Sequence, residues 1–138
     1  MLRQNDFIKS QVVLEAWRQA SHYGGHRSML MIACAIGNRV RSGWGSWLEV
    51  LAGLESTSAG DTPGLHRYGM PPLNDANFLR ILQEIDDVYD NRGQDLANGG
   101  LYWGDMANIT RPWFQQEILD HPEEHPRLAN CGTLTFWG

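Results

Sequence analysis

This sequence has very little cysteine, an excess of acids over bases, and no long apolar run. Cys34 and Cys131 are the only thiols in 138 residues, too few for a disulfide framework. A chain of this length buries enough core to fold without disulfides or a structural metal. Cys34 lies in an apolar stretch and reads as a buried free thiol. The formal net charge of −5 argues against nucleic acid as the main partner, because phosphate binding rests on clustered cations. Arg39 and Arg41 form the only local basic pair. No run approaches the length that crosses a bilayer, and the segment Met1 to Ser10 has neither an apolar core nor a small-residue cleavage site. The expectation is one domain over residues 1–138, without membrane or nucleic-acid partners.

What is present in excess is tryptophan, at six residues. Large flat side chains suit a core or a sugar-binding groove equally well. Helical periodicity marks a first helix over about Asn5 to Ser21, with Val13, Ala16, Trp17 and Ala20 inward and Gly24-Gly25 as its stop. Ser28 is placed to cap a second helix, Met29 to Val40, which is apolar on every side and so belongs at the centre of the domain. A short third helix covers about Gly45 to Leu54, with Trp47, Leu48, Leu51 and Leu54 inward. Ser56 to Leu73 is a long Gly, Pro, Ser and Thr-rich loop of the kind that carries function.

Asn74 or Asp75 then caps a helix whose apolar residues are Phe78, Ile81, Leu82, Ile85, Val88 and Tyr89, with Gly93 as its stop. Gly99-Gly100 leads into an extended Leu101-Tyr102-Trp103 segment, and Pro112 opens a helix to about Leu119. Thr133 to Trp137 alternates like a half-buried strand. The fold class is mainly α (α+β), with a small hairpin-like element near the C-terminus.

Glu15 stands beside Val12 and Ile8 on the helical wheel, off the cleanly solvated face. A carboxyl partly removed from water resists ionisation and can serve as a general acid. The plain alternative is a surface contact with Arg18 or Gln19 at i,i+3 or i,i+4. Strand alternation lets only one of Tyr102 and Trp103 face a groove, the other packing behind. Asn38, at the end of the central helix, reads as structural. The pairs His22/His26 and His121/His125 have metal-like spacing, but Gly24-Gly25 and Pro126 break the helices such sites need. No metal or other cofactor is expected.

The order of segments carries more than any one of them. Glu15-Ala16, then an apolar helix ending Asn38-Arg39-Val40, then Gly99-Gly100-Leu101-Tyr102-Trp103, then Pro112-Trp113-Phe114, then Cys131-Gly132-Thr133-Leu134-Thr135-Phe136-Trp137 resembles the spore-cortex-lytic (SleB-type) cell wall hydrolases. The family's Arg-Gly-Glu after Glu-Ala is Trp17-Arg18-Gln19 here, and its terminal His is Leu134.

The resemblance implies a lysozyme-like helical domain that cuts peptidoglycan strands between N-acetylmuramic acid and N-acetylglucosamine, as a lytic transglycosylase or muramidase. It implies one essential Glu, here Glu15, acting as acid and then base. Tyr102, Trp103, Trp113 and Thr135 fall on its motifs and are expected to bind substrate. If water is the nucleophile, a second carboxylate is needed, and Asp61, Asp75 and Asp105 are the candidates. With no export signal visible, the expectation is a protein made in the cytoplasm, of phage type, that reaches the wall on lysis or in a virion. The departures also leave room for an inactive glycan-binding or structural descendant.

Overall fold

A computed structural model describes residues 4–20, 26–60 and 76–138. Gly24-Gly25 as a helix stop, Asn74 or Asp75 as a cap, His22, the candidate carboxylates Asp61 and Asp75, and most of the long loop lie outside these residues. The elements run α1 (Gln4–Ala20), α2 (His26–Arg41), α3 (Trp47–Ala52), a 3₁₀ turn (Leu54–Thr57), α4 (Ala76–Tyr89), β1 (Tyr102–Asp105), α5 (Pro112–Phe114) continued by a π-helical turn (Gln115–Leu119), β2 (Arg127–Cys131) and β3 (Leu134–Trp137). The fold is mainly helical with one small antiparallel sheet, as the periodicity predicts.

Helix α2 is the hub. It packs against α1, α3 and α4, and Met31 to Gly37 is buried without a break, as expected of a helix apolar all round. Helix α1 supplies Ile8, Val12, Val13, Ala16, Trp17 and Ala20 to the same core. Ser28 does not cap α2. The helix already begins at His26, and the buried Ser28 hydroxyl donates instead to the Ala20 carbonyl, 3.2 Å away, at the end of α1. The cap that does form is Ser46 on α3, whose side chain accepts from Glu49 N–H while Glu49 reaches back to Ser46 N–H. Of the expected inward set, Leu54 is buried and Trp47 and Leu51 pack against the core, whereas Leu48 is exposed and Val50 is buried in addition. In α4 Ile81, Ile85 and Val88 are buried, whereas Leu82 is exposed. Gly93 is not its stop: the helix ends at Tyr89, and Asn91 turns the chain first, at φ 56°.

The sheet order is β1-β3-β2. Trp103 lies opposite Phe136, and Asp105 opposite Leu134. Strand β3 is not half-buried: all four residues are interior. Leu134 and Phe136 join the helical core, while Trp137 faces a second cluster with Phe114, Ile118 and Ala59. The central strand therefore has both faces covered, and alternation reports which cluster a residue joins, not which residue is wet. Strand β2, which has no clear alternation, completes the sheet with an irregularity between Arg127 and Ala129. Among the described residues no helix is long and apolar enough to cross a membrane.

Both cysteines are free, Cys34 buried and Cys131 partly exposed. Burial pushes the Cys34 thiol above its ordinary pKa, with the nearby Asp95 charge a smaller push in the same direction. In native protein a soluble disulfide reagent is expected to label Cys131 first and Cys34 roughly tenfold or more slowly, since only the exposed thiolate reacts. Equal labelling rates, read by mass spectrometry of the two peptides, would contradict the packing of α2.

Candidate active site

A cleft of about 160 Å³ opens between α1 and the sheet. Glu15 and Gln19, one turn apart on α1, form one wall; Trp103, Gly104 and Asp105 of β1 form another; the chain from Leu54 to Gly60 closes a third side, with Ile32, Arg39 and Leu134 deeper in. Two of these walls meet only because they are bare. A Cβ on Gly104 would come within 2.5 Å of the Ala59 Cβ, and one on Gly60 would collide with the Asn108 carbonyl. The segment is held there by Thr110 and Arg111 N–H groups donating to the Ala59 carbonyl (3.0 and 3.1 Å). At the rim Arg111 donates to the Glu55 carboxylate and, at 2.8 Å, to the Glu55 carbonyl.

Glu15 keeps 18% of its side-chain surface. Its Oε1 accepts from Gln19 Nε2 at 3.0 Å, and Gln19 Oε1 accepts from Trp103 Nε1 at 2.8 Å. An indole nitrogen is a donor only, so it fixes the Gln19 amide with its oxygen towards Trp103 and its NH₂ towards Glu15. The other carboxyl oxygen, Oε2, lies 3.7 Å from Arg18 Nη1. Glu15 makes the i,i+4 and i,i+3 contacts with Gln19 and Arg18 that the helical spacing offered, and it also lines the cleft. Asp105 lines the same cleft, its Oδ1 accepting from Ala107 N–H (2.9 Å) and its Oδ2 from Asn108 Nδ2 (3.2 Å).

Of the residues the sequence put forward, Glu15 and Trp103 come together and three do not join them. Tyr102, the neighbour of Trp103 on the strand, turns to the other face, against the rings of Trp44 (5.4 Å) and His125 (5.2 Å). Trp113 packs on Phe114, and its Nε1 donates to the Ser58 carbonyl at 3.2 Å, so it braces the cleft wall from behind. Thr135 is fully buried, its hydroxyl donating to the Thr133 carbonyl; on the central strand it has no surface to offer a substrate. Asn38 is structural as expected: its Nδ2 donates to Asp95 (2.9 Å) and to the Gly100 carbonyl (3.2 Å), fastening the turn that delivers β1.

Sequence reasoning missed Arg39. Its position, three and seven residues after Ile36 and Ile32 on the buried face of α2, was the available signal. It is 2% exposed. Nε donates to the Leu101 carbonyl (2.6 Å) and Nη1 to Thr57 Oγ1 (2.7 Å). The guanidinium also lies 4.4 Å from the Trp103 ring and 4.6 Å from the Trp44 ring, an arrangement that favours a desolvated cation. Burial draws its pKa down to about 10, with the nearby Tyr102 pulling the other way, and it remains charged at neutral pH.

Among the described residues no group of three His, Cys, Asp or Glu side chains is arranged to hold a metal. The His125 ring instead meets the Gly138 carbonyl through Nδ1 at 2.7 Å. What the fold and site define is a small helical domain with a carboxyl-bearing cleft at the edge of a three-stranded sheet. No protein-family model, curated protein or solved structure matches the chain.

Gly104→Ala is expected to destabilise the protein by about 1–3 kcal/mol, because the added methyl meets Ala59 and one wall must move. Urea denaturation measures this; an unchanged midpoint would show that the Ala59 segment does not lie against β1.

Proposed function

We propose that this protein cleaves the glycan strand of peptidoglycan between N-acetylmuramic acid and N-acetylglucosamine. Glu15 is the acid and then the base, on a lysozyme-like domain of the spore-cortex-lytic type. The observation that carries the reading is the meeting of Glu15 with Trp103 across one cleft, through Gln19. These residues are 88 positions apart and belong to the first and third of the motifs that suggested the family. Gln19 stands where the family has a second glutamate, and as a neutral amide it organises Glu15 without adding charge.

In the proposed reaction Glu15 Oε2 gives its proton to the glycosidic oxygen as the C1–O bond breaks. The muramic C6 hydroxyl then closes on C1 and returns its proton to the Glu15 carboxylate, leaving a 1,6-anhydro end. If water attacks instead, Asp105 is a carboxylate of the same cleft that can activate it, and the end is a reducing sugar. Because the strand lies outside the cytoplasm, the reading also requires a route to the wall, on cell lysis or within a virion.

A second reading rests on Arg18. Its guanidinium lies 3.7 Å from Glu15 Oε2 and engages the oxygen that would have to deliver the proton. This supports a descendant that binds glycan and does not cut it.

Glu15→Gln is nearly isosteric, keeps an acceptor for Gln19 and has no acidic proton. It is expected to fold normally and to lose about 10²–10⁴-fold of glycan cleavage. Mass spectrometry of the wild-type digest separates the two chemistries, the anhydro product being lighter by one water. Cleavage by Glu15→Gln at the wild-type rate would remove Glu15 from the chemistry. Strand binding by wild-type protein with no product would favour the binder.

A further inference from the structure

The cleft contains a cation, Arg39, that has no counter-ion among the described residues. Arg39 uses Nε and one Nη1 hydrogen on a carbonyl and a hydroxyl, both neutral, and among the described residues its Nη2 has no hydrogen-bond partner and no carboxylate forms an ion pair with it. Among the described residues, the neighbouring arginines each have an acid beside them: Arg18 has Glu15 and Arg111 has Glu55. Buried charges are ordinarily paired, and the indoles of Trp44 and Trp103 offset only part of the lost hydration. Nη2 and the remaining Nη1 hydrogen are the donors left to receive a carboxylate, and Arg39 lines the same cleft as Glu15.

We infer that Arg39 holds a carboxylate of the substrate, and that this carboxylate is the free lactyl group of a muramic residue carrying no peptide. The inference rests on the glycan-cleavage reading and narrows it. Arg39 and Glu15 share one small cleft, so the anion belongs to the sugar at the bond being cut or to its neighbour. On a glycan backbone the lactyl group is the one carboxylate available. Once a peptide is attached that carboxyl becomes a neutral amide with a bulky substituent, whose oxygen still accepts a hydrogen bond but brings no charge to the guanidinium, and which must still fit beside Trp103. The preferred substrate is therefore a strand from which the peptides have been removed, so a reaction that cleaves the lactyl-peptide amide has to come first.

Arg39 ties Leu101 and Thr57 into the fold, so its replacement can unfold the chain, and the deciding experiment varies the ligand. Wild-type protein is given three strands: peptide-free with free lactyl carboxylates, peptide-free with those carboxylates converted to methylamides, and peptide-bearing. Product release is measured for each, and sedimentation with each strand is measured for Glu15→Gln. The peptide-free acid strand is expected to be cleaved and bound at least about tenfold better than the other two, the difference expected from one charge-assisted pair. Equal handling of acid and methylamide strands would overturn the role of Arg39 and leave glycan cleavage standing. Preference for the peptide-bearing strand would overturn the lactyl assignment. If no strand is bound or cut, the glycan reading falls and this inference with it.

Discussion

The arrangement of this protein depends on where Arg39 is held. It projects from the buried face of the central helix α2 and fastens the Leu101 carbonyl just before β1 and the Thr57 hydroxyl in the turn after α3. Those two segments are two walls of the cleft. A guanidinium can be kept there because Trp44 and Trp103 cover its faces and because two neutral oxygens accept from its edge. The tie is costly, as the downward displacement of its pKa by burial shows, and an apolar residue at this position would pack the core without fastening β1. Asn38, the preceding residue on α2, repeats the device on the turn through Asp95 and Gly100.

From that anchor the site follows by geometry. Once β1 is fixed, its alternation sends Trp103 to the cleft and Tyr102 to the opposite face. Trp103 then dictates the Gln19 amide, and Gln19 dictates which oxygen of Glu15 is engaged. The bare backbone at Gly104 and Gly60 lets the Ala59 segment close against β1 and the Asn108 loop, while Trp113 holds Ser58 from the far side. The cleft is thus built by side chains distant in sequence, with Glu15, Glu55 and Asp105 as the carboxylates of its lining and Arg39 as the cation.

Much of this was legible in the sequence and some was not, for definable reasons. The helices were clear because α1, α2 and α4 have an apolar stripe or an apolar girdle. Their ends were less so: Ser28 carries a cap residue's side chain but spends it on α1, and the real cap, Ser46, was hidden among glycines. Strand β3 was visible as a strand, yet its burial on both faces depends on α5 and the Ala59 segment, which local alternation cannot foresee. Strand β2 has no alternation and forms because β3 offers it an edge. Glu15 and Trp103 were reachable from motif order and strand parity. Tyr102, Trp113 and Thr135 were carried along with those motifs, and only the tertiary structure separates cleft from support. Arg39 was discounted as half of a basic pair, although its place on the apolar face of α2 marked it as different from Arg41.

The central claim is that the Glu15–Gln19–Trp103 cleft is where a glycan binds. The indole N–H of Trp103 reports on this directly, because it is bonded to Gln19 in the free protein. Nitrogen-edited NMR spectra recorded while purified peptidoglycan glycan fragments are titrated into the protein should move the Trp103 indole resonance. The indole of Trp113, bonded to Ser58 behind the wall, should stay nearly fixed. A titration in which Trp103 is unmoved while another tryptophan shifts would contradict the account.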